Sequence, residues 1–118
     1  MGLEPYRNYQ NVFEDQSYAA NANSSSLGSA GYSSARVCFV TSATWNDGGA
    51  DATVGVQGSM DGTNWSATIQ TAAATASGAG TYMSALADIR CYNHIRLVYT
   101  KNDAGAGTFT AHVALLDN

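Results

Sequence analysis

Two histidines, two cysteines and nine carboxylates are the groups in this 118-residue chain that could carry acid–base, nucleophilic or metal chemistry. His94 and His112 fall in different segments, and no H-x-x-x-H, H-x-H or C-x-x-C spacing sets two ligands side by side, so a zinc site has no support. The octet GSMDGTNW (58–65) has the look of a cation loop. Calcium needs about six to eight oxygens, however, and this loop offers one carboxylate, Asp61. The adjacent Glu14 and Asp15, the turn-flanking Asp47 and Asp51, and the turn residue Asp103 make no convincing acid–base pair. Neither a G-x-S-x-G elbow nor a phosphate-binding glycine loop occurs. The expectation is a protein without enzymatic activity, metal or cofactor.

The same octet has a structural reading that uses every residue. Asp61-Gly62 is a hairpin-turn dipeptide, because glycine accepts positive φ and the Asp carboxylate bonds back to the backbone. Ser59 and Thr63 can add further bonds to the backbone, and Trp65 is expected to open the returning strand and cap one end of the core.

The elements around it read as β. From Tyr32 onward, short alternating segments are separated by glycine- and aspartate-rich turns, and no apolar i, i+3, i+4 pattern persists over three turns. ARVCFVTSATW puts Val37, Phe39 and Thr41 on one face; ATVGVQGSM puts Val54, Val56 and Gly58 there; HIRLVYT offers Ile95, Leu97 and Tyr99; TFTAHVALL offers Phe109, Ala111, Val113 and Leu115. WSATI is expected as a strand, QTAAATASGAG as a long loop, and TYMSALA as a weak strand. The fold class expected is an all-β antiparallel sandwich, jelly-roll-like, over residues 32–118. Residues 1–31 differ. YRNYQNVFEDQSY scatters Tyr6, Tyr9, Phe13 and Tyr18 among polar residues without a clean period, and a small-residue stretch follows. They are expected to form an extended N-terminal arm that carries aromatic contacts to a partner, the alternative being an irregular strand docked on the domain's own core.

Composition narrows the partners. Charged residues make up 12% of the chain, about half the usual share, with a net charge of −4. The five basic residues are dispersed, which argues against nucleic acid, and no apolar run is long enough for a membrane span. MGLEPYRNYQ lacks the basic and apolar regions of a signal peptide, so synthesis in a cytoplasm is the expectation. Cys38 and Cys91 are expected as reduced, buried thiols, with one bridge between sheets as the alternative. Arg96 points away from Ile95 and Leu97, toward a cross-strand partner or another subunit.

VQGSMDGTNW, followed later by IRLVYT and GTFTAHV, resembles two groups of β-sandwich proteins. One is the small tailed-phage virion proteins, including capsid cement (decoration) proteins, which share V-x-G-S-x-D-G-x-x-W, an IRL strand and a closing G-T-hydrophobic-T-A strand. The other is the discoidin-like (F5/8 type C) modules, which are usually longer and carry ligand spikes that this chain lacks. The first resemblance implies a structural virion protein that binds the major capsid protein on the outer capsid surface as a homo-oligomer, a trimer being favoured, or a tail or neck component. The second implies a carbohydrate-binding or adhesion module, for which Trp45, beside NDGGAD, is the candidate stacking platform, the other reading of Trp45 being an aromatic at the edge of the core.

Overall fold

The computed structural model describes residues 6–46, 51–101 and 106–117, with side chains described between Val12 and Leu116. Among these residues ten strands and no helix occur, and every strand pairing is antiparallel. The first sheet runs β1 (Tyr6–Ser17), β10 (Thr108–Asp117), β4 (Ser34–Thr41) and β7 (Gly80–Met83), with the short β8 (Ala87–Asp88) also on β4. In the second, β2 (Ala22–Asn23) and β3 (Leu27–Gly28) lie on β9 (His94–Thr100), which pairs β5 (Ala52–Ser59) and then β6 (Gln70–Ala74). The two sheets pack face to face as a β-sandwich, as the alternation predicts.

The inward residues of β4, β5, β9 and β10 are the predicted ones. Val37, Phe39, Val54, Val56, Ile95, Leu97, Tyr99, Phe109, Val113 and Leu115 are all essentially inaccessible. At one end of the core the rings of Phe39, Trp45, Tyr99 and Phe109 meet, mostly edge to face, with Phe39 and Phe109 centroids 5.2 Å apart. The Tyr99 hydroxyl donates to the Tyr18 carbonyl at 2.9 Å, so its one polar atom is satisfied inside the sandwich.

Burial of Tyr99, with Tyr18 as a lesser contributor, pushes its phenol up to about 12. An unfolded tyrosine ionises near pH 10, so Tyr99 contributes stability fully below about pH 10 and loses it as pH rises toward about 12. Urea unfolding across that window should show wild type losing stability more steeply than Tyr99→Phe. Parallel slopes for the two proteins would refute this.

Three expectations require correction. Residues 6–31 are not an arm outside the sandwich but follow the alternative reading, an irregular segment docked on the domain's own core. Over residues 6–17 it is the edge strand β1, paired to β10 from Tyr6↔Asp117 to Ser17↔Thr108, and β2 and β3 then cross to the second sheet. Its irregular pattern comes from register shifts between Asn11 and Phe13 and between Phe13 and Gln16, with Asp15 at φ 45°. Secondly, WSATI forms no strand. It follows β5 irregularly, Ser66 N donating to the Gly58 carbonyl and Ile69 N to that of Val56, and Ala67 is exposed. Thirdly, the expected loop QTAAATASGAG contains β6, whose Ala72 and Ala74 are buried against the core. The turns expected around Asp47 and Asp103 fall on residues 47–50 and 102–105, which lie outside the described residues.

Candidate binding face

The octet 58–65 folds as its residue types dictate. The Asp61 Oδ1 accepts from the Ser59 hydroxyl and from the backbone N–H groups of Thr63 and Asn64 at 2.8–3.0 Å, and Oδ2 accepts from the Asn64 amide at 2.7 Å. Gly62 sits at φ +80°, the conformation for which glycine is suited. Asp61 is thus the hub of a closed turn, as read from sequence. The Asn64 and Thr63 N–H groups, then the Asn64 amide and the Ser59 hydroxyl, hold its carboxyl well below the usual carboxylate range. A depressed carboxyl stabilises the fold above its unfolded value near pH 3.9, and that contribution fades as pH falls through the lower folded value. Carbon-detected NMR in an acid titration should find Asp61 still ionised after ordinary aspartates have protonated. Titration of Asp61 alongside them would refute the closed turn.

Trp65 does not cap the core. It lies half-buried beside β9, with the Arg96 guanidinium 4.5 Å from its ring centroid. Arg96 is held a second time, donating from Nε to the Gln57 side chain opposite it at 2.9 Å. Both partners of Arg96 are intramolecular, and neither is a carboxylate. Nearby, Gly58 lets Tyr92 lie flat on β5: a Cβ at 58 would stand 2.3 Å from Tyr92 Cδ2. Tyr92, Met60, Asn64 and Trp65 line a shallow hollow of about 480 Å³ over this turn.

The outer face of the first sheet is a different kind of surface. On β4, Cys38 and Val40 alternate outward with Arg36; on β10, Ala114 and Leu116 do so with His112. An outward row on a solvated sheet is ordinarily polar, and here Cys38, Val40, Ala114 and Leu116 interrupt it with apolar side chains. Arg36, Cys38, Met83, Leu86, His112 and Leu116 line a groove of about 360 Å³. Met83 and Leu86, on and just beyond β7, are 57% and 53% exposed, and with Met60 they are the exposed large hydrophobic residues among those described. Arg36 lies across the same face, its Nε donating to the Ser84 carbonyl at 2.9 Å. Burial raises the Cys38 thiol above its ordinary value against the opposing pull of Arg36.

Sequence reasoning did not find this groove, although one signal was present. TFTAHVALL is apolar at Ala114 and Leu116 as well as at its inward positions, the mark of a strand covered on both faces.

The remaining candidates scatter. Phe13 is 6% exposed and belongs to the core, with its ring edge-on to Phe109 at 5.6 Å, so it is not available to a partner. Tyr18 is half-buried against the same core. Tyr6 and Tyr9 lie on β1, and their side chains are outside the described residues. Trp45, at 2% exposure among Phe39 and Phe109, is a core residue and cannot stack on a sugar. Both cysteines are free. Cys38 is half-buried on the outer face, and Cys91 is exposed rather than buried because it sits in the turn before β9. Among the described residues no group of three or more His, Cys, Asp or Glu is placed to hold a metal ion, and no helix is long and apolar enough to cross a membrane.

Comparisons of the chain with protein-family models, with curated proteins and with solved structures find no match.

Proposed function

We propose that this chain is a non-enzymatic structural subunit, a cement or decoration protein of a tailed-phage capsid. It docks on the outside of the major capsid protein as a small homo-oligomer, a trimer being favoured. The observation that carries a docking role is the outer face of the β10–β4–β7 sheet, where Met83 and Leu86 stand exposed around an apolar groove. Both side chains are a little over half exposed, so covering what remains is worth about 1–1.5 kcal/mol each. The virion assignment rests on the resemblance of VQGSMDGTNW, IRLVYT and GTFTAHV. Those pieces supply the Asp61 turn and a central strand of each sheet, β9 and β10, a rigid body on which such a face can be presented.

The test is the solution mass of the full chain, alone and mixed with capsids stripped of surface proteins. A stable small oligomer that co-sediments with capsids is expected. The double variant Met83→Asp/Leu86→Asp should keep its far-ultraviolet circular dichroism and lose co-sedimentation by at least about tenfold, since two lost anchors exceed 1.4 kcal/mol. A wild-type monomer indifferent to capsids, or a double variant that binds as wild type does, would overturn the reading.

A further inference from the structure

We propose that Cys38, His112 and Met83 form a binding site for one soft monovalent metal ion, Cu(I) or its redox-inert analogue Ag(I). The site goes beyond the docking role and does not depend on it. Cys38 on β4 is the register partner of His112 on β10 and, on its other side, of Met83 on β7. The three therefore form one straight row across three adjacent strands, all lining the same groove. Directly opposed residues on neighbouring antiparallel strands have Cβ atoms about 4.5–5.5 Å apart. From that spacing an imidazole and a thioether, each extending beyond Cβ, can lean in from either side toward an ion bound on the central sulfur, with metal–donor bonds of about 2.0–2.3 Å.

The donor set selects the ion. Thiolate and thioether are soft ligands that favour Cu(I), and imidazole accepts copper as well. Among the described residues no carboxylate lines the groove, so it offers hard cations no carboxylate ligand. Charge points the same way. A monovalent ion on a thiolate is net neutral, so the pair places no extra cation beside Arg36, whereas a divalent ion would. Binding is a simple exchange: the Cys38 S–H bond breaks, its proton passes to buffer, the sulfur lone pair forms the S–metal bond, and no electron is transferred. Among the described residues the three donor atoms make no hydrogen bond or ion pair that binding would have to break.

The experiment is an anaerobic titration of the full reduced chain with Cu(I) against a chromophoric Cu(I) chelator. Ag(I)-induced NMR shifts at the His112 ring and the Met83 methyl provide a second readout. Wild type and Cys91→Ser are expected to hold one ion per chain, and Cys38→Ser none. Loss of an outer-shell partner alone commonly weakens a metal site 10–100-fold, so His112→Asn and Met83→Leu should each weaken binding at least about tenfold. Retained stoichiometric binding in Cys38→Ser, or its loss in Cys91→Ser, would overturn the site. So would wild-type affinity in both His112→Asn and Met83→Leu, which would leave a lone thiol. All four substitutions lie on the outer face or in a turn, and unfolding curves check that each variant is folded. Should Cys38→Ser fail that check, the His112 and Met83 variants and the Ag(I) shifts decide.

Discussion

Deletion of residues 1–17 is expected to leave a chain that does not fold stably on its own. Those residues include β1, which supplies the hydrogen-bonded partner of β10 along nearly its whole length and places Phe13 against Phe109. Losing the Phe13 ring alone costs about 3–5 kcal/mol, a large part of the roughly 5–15 kcal/mol that holds a domain of this size. Deletion also turns β10 into an open edge with apolar residues on both faces, a template for aggregation. Circular dichroism and sedimentation should find the truncated chain unfolded or aggregated, while Phe13→Ala remains folded but weakened. A truncated chain that is monomeric and unfolds cooperatively near the wild-type midpoint would show that β1 is dispensable. The distinction bears on function, because a truncation that destroys the fold would also abolish capsid binding. The surface variants Met83→Asp and Leu86→Asp are the cleaner probe of docking.

How much of this was legible depended on local chemistry. β4, β9 and β10 could be read because β-branched, aromatic and leucine residues alternate there with polar or smaller ones, and period two survives in the sequence. β6 could not be, because its inward residues are alanines and its outward ones threonine and alanine, so both faces look alike. β1 was obscured by its two register shifts, which break the period that would have marked Phe13 as inward. The Asp61 carboxylate turn was readable, since its bonds are made among Ser59, Asp61, Gly62, Thr63 and Asn64, whereas the place of Trp65 just beyond it depends on Arg96 of β9 and was not. The outer groove was not. Cys38, Met83 and His112 are far apart in the chain and meet only through the order β10–β4–β7, which pairs the first half of the sequence with the last. Trp45 left two readings open, an exposed platform beside a glycine-rich turn or a core-edge aromatic, and the second holds: Trp45 N bonds the Ser42 carbonyl, Gly78 N bonds that of Trp45, and the indole lies inward.

Phe109→Ala is expected to be the most damaging single substitution in the core. The Phe109 ring meets four others: Phe13 at 5.6 Å, Phe39 at 5.2 Å, Trp45 at 6.1 Å and Tyr99 at 4.3 Å between centroids. Truncation of a buried phenylalanine costs about 3–5 kcal/mol, and aromatic pairs contribute about 0.5–1.5 kcal/mol beyond the area they bury. Those terms are not additive, because the surviving rings can close part of the space. The surrounding elements limit that collapse: Phe109 lies between β1 and β4 in one sheet while Tyr99 belongs to the other, and both sheets are fixed by their hydrogen bonds. A loss of about 4–5 kcal/mol by urea unfolding is therefore expected. Met83→Ala, on the outer face, should stay within about 0.5 kcal/mol of wild type. Phe109→Leu separates volume from ring character. If filling the space is what matters, it should recover most of the loss; if edge-to-face contacts dominate, it should resemble Phe109→Ala. A Phe109→Ala loss below about 2 kcal/mol would mean that the four rings repack around the gap, and that the cluster is a set of independent contacts rather than one packed unit.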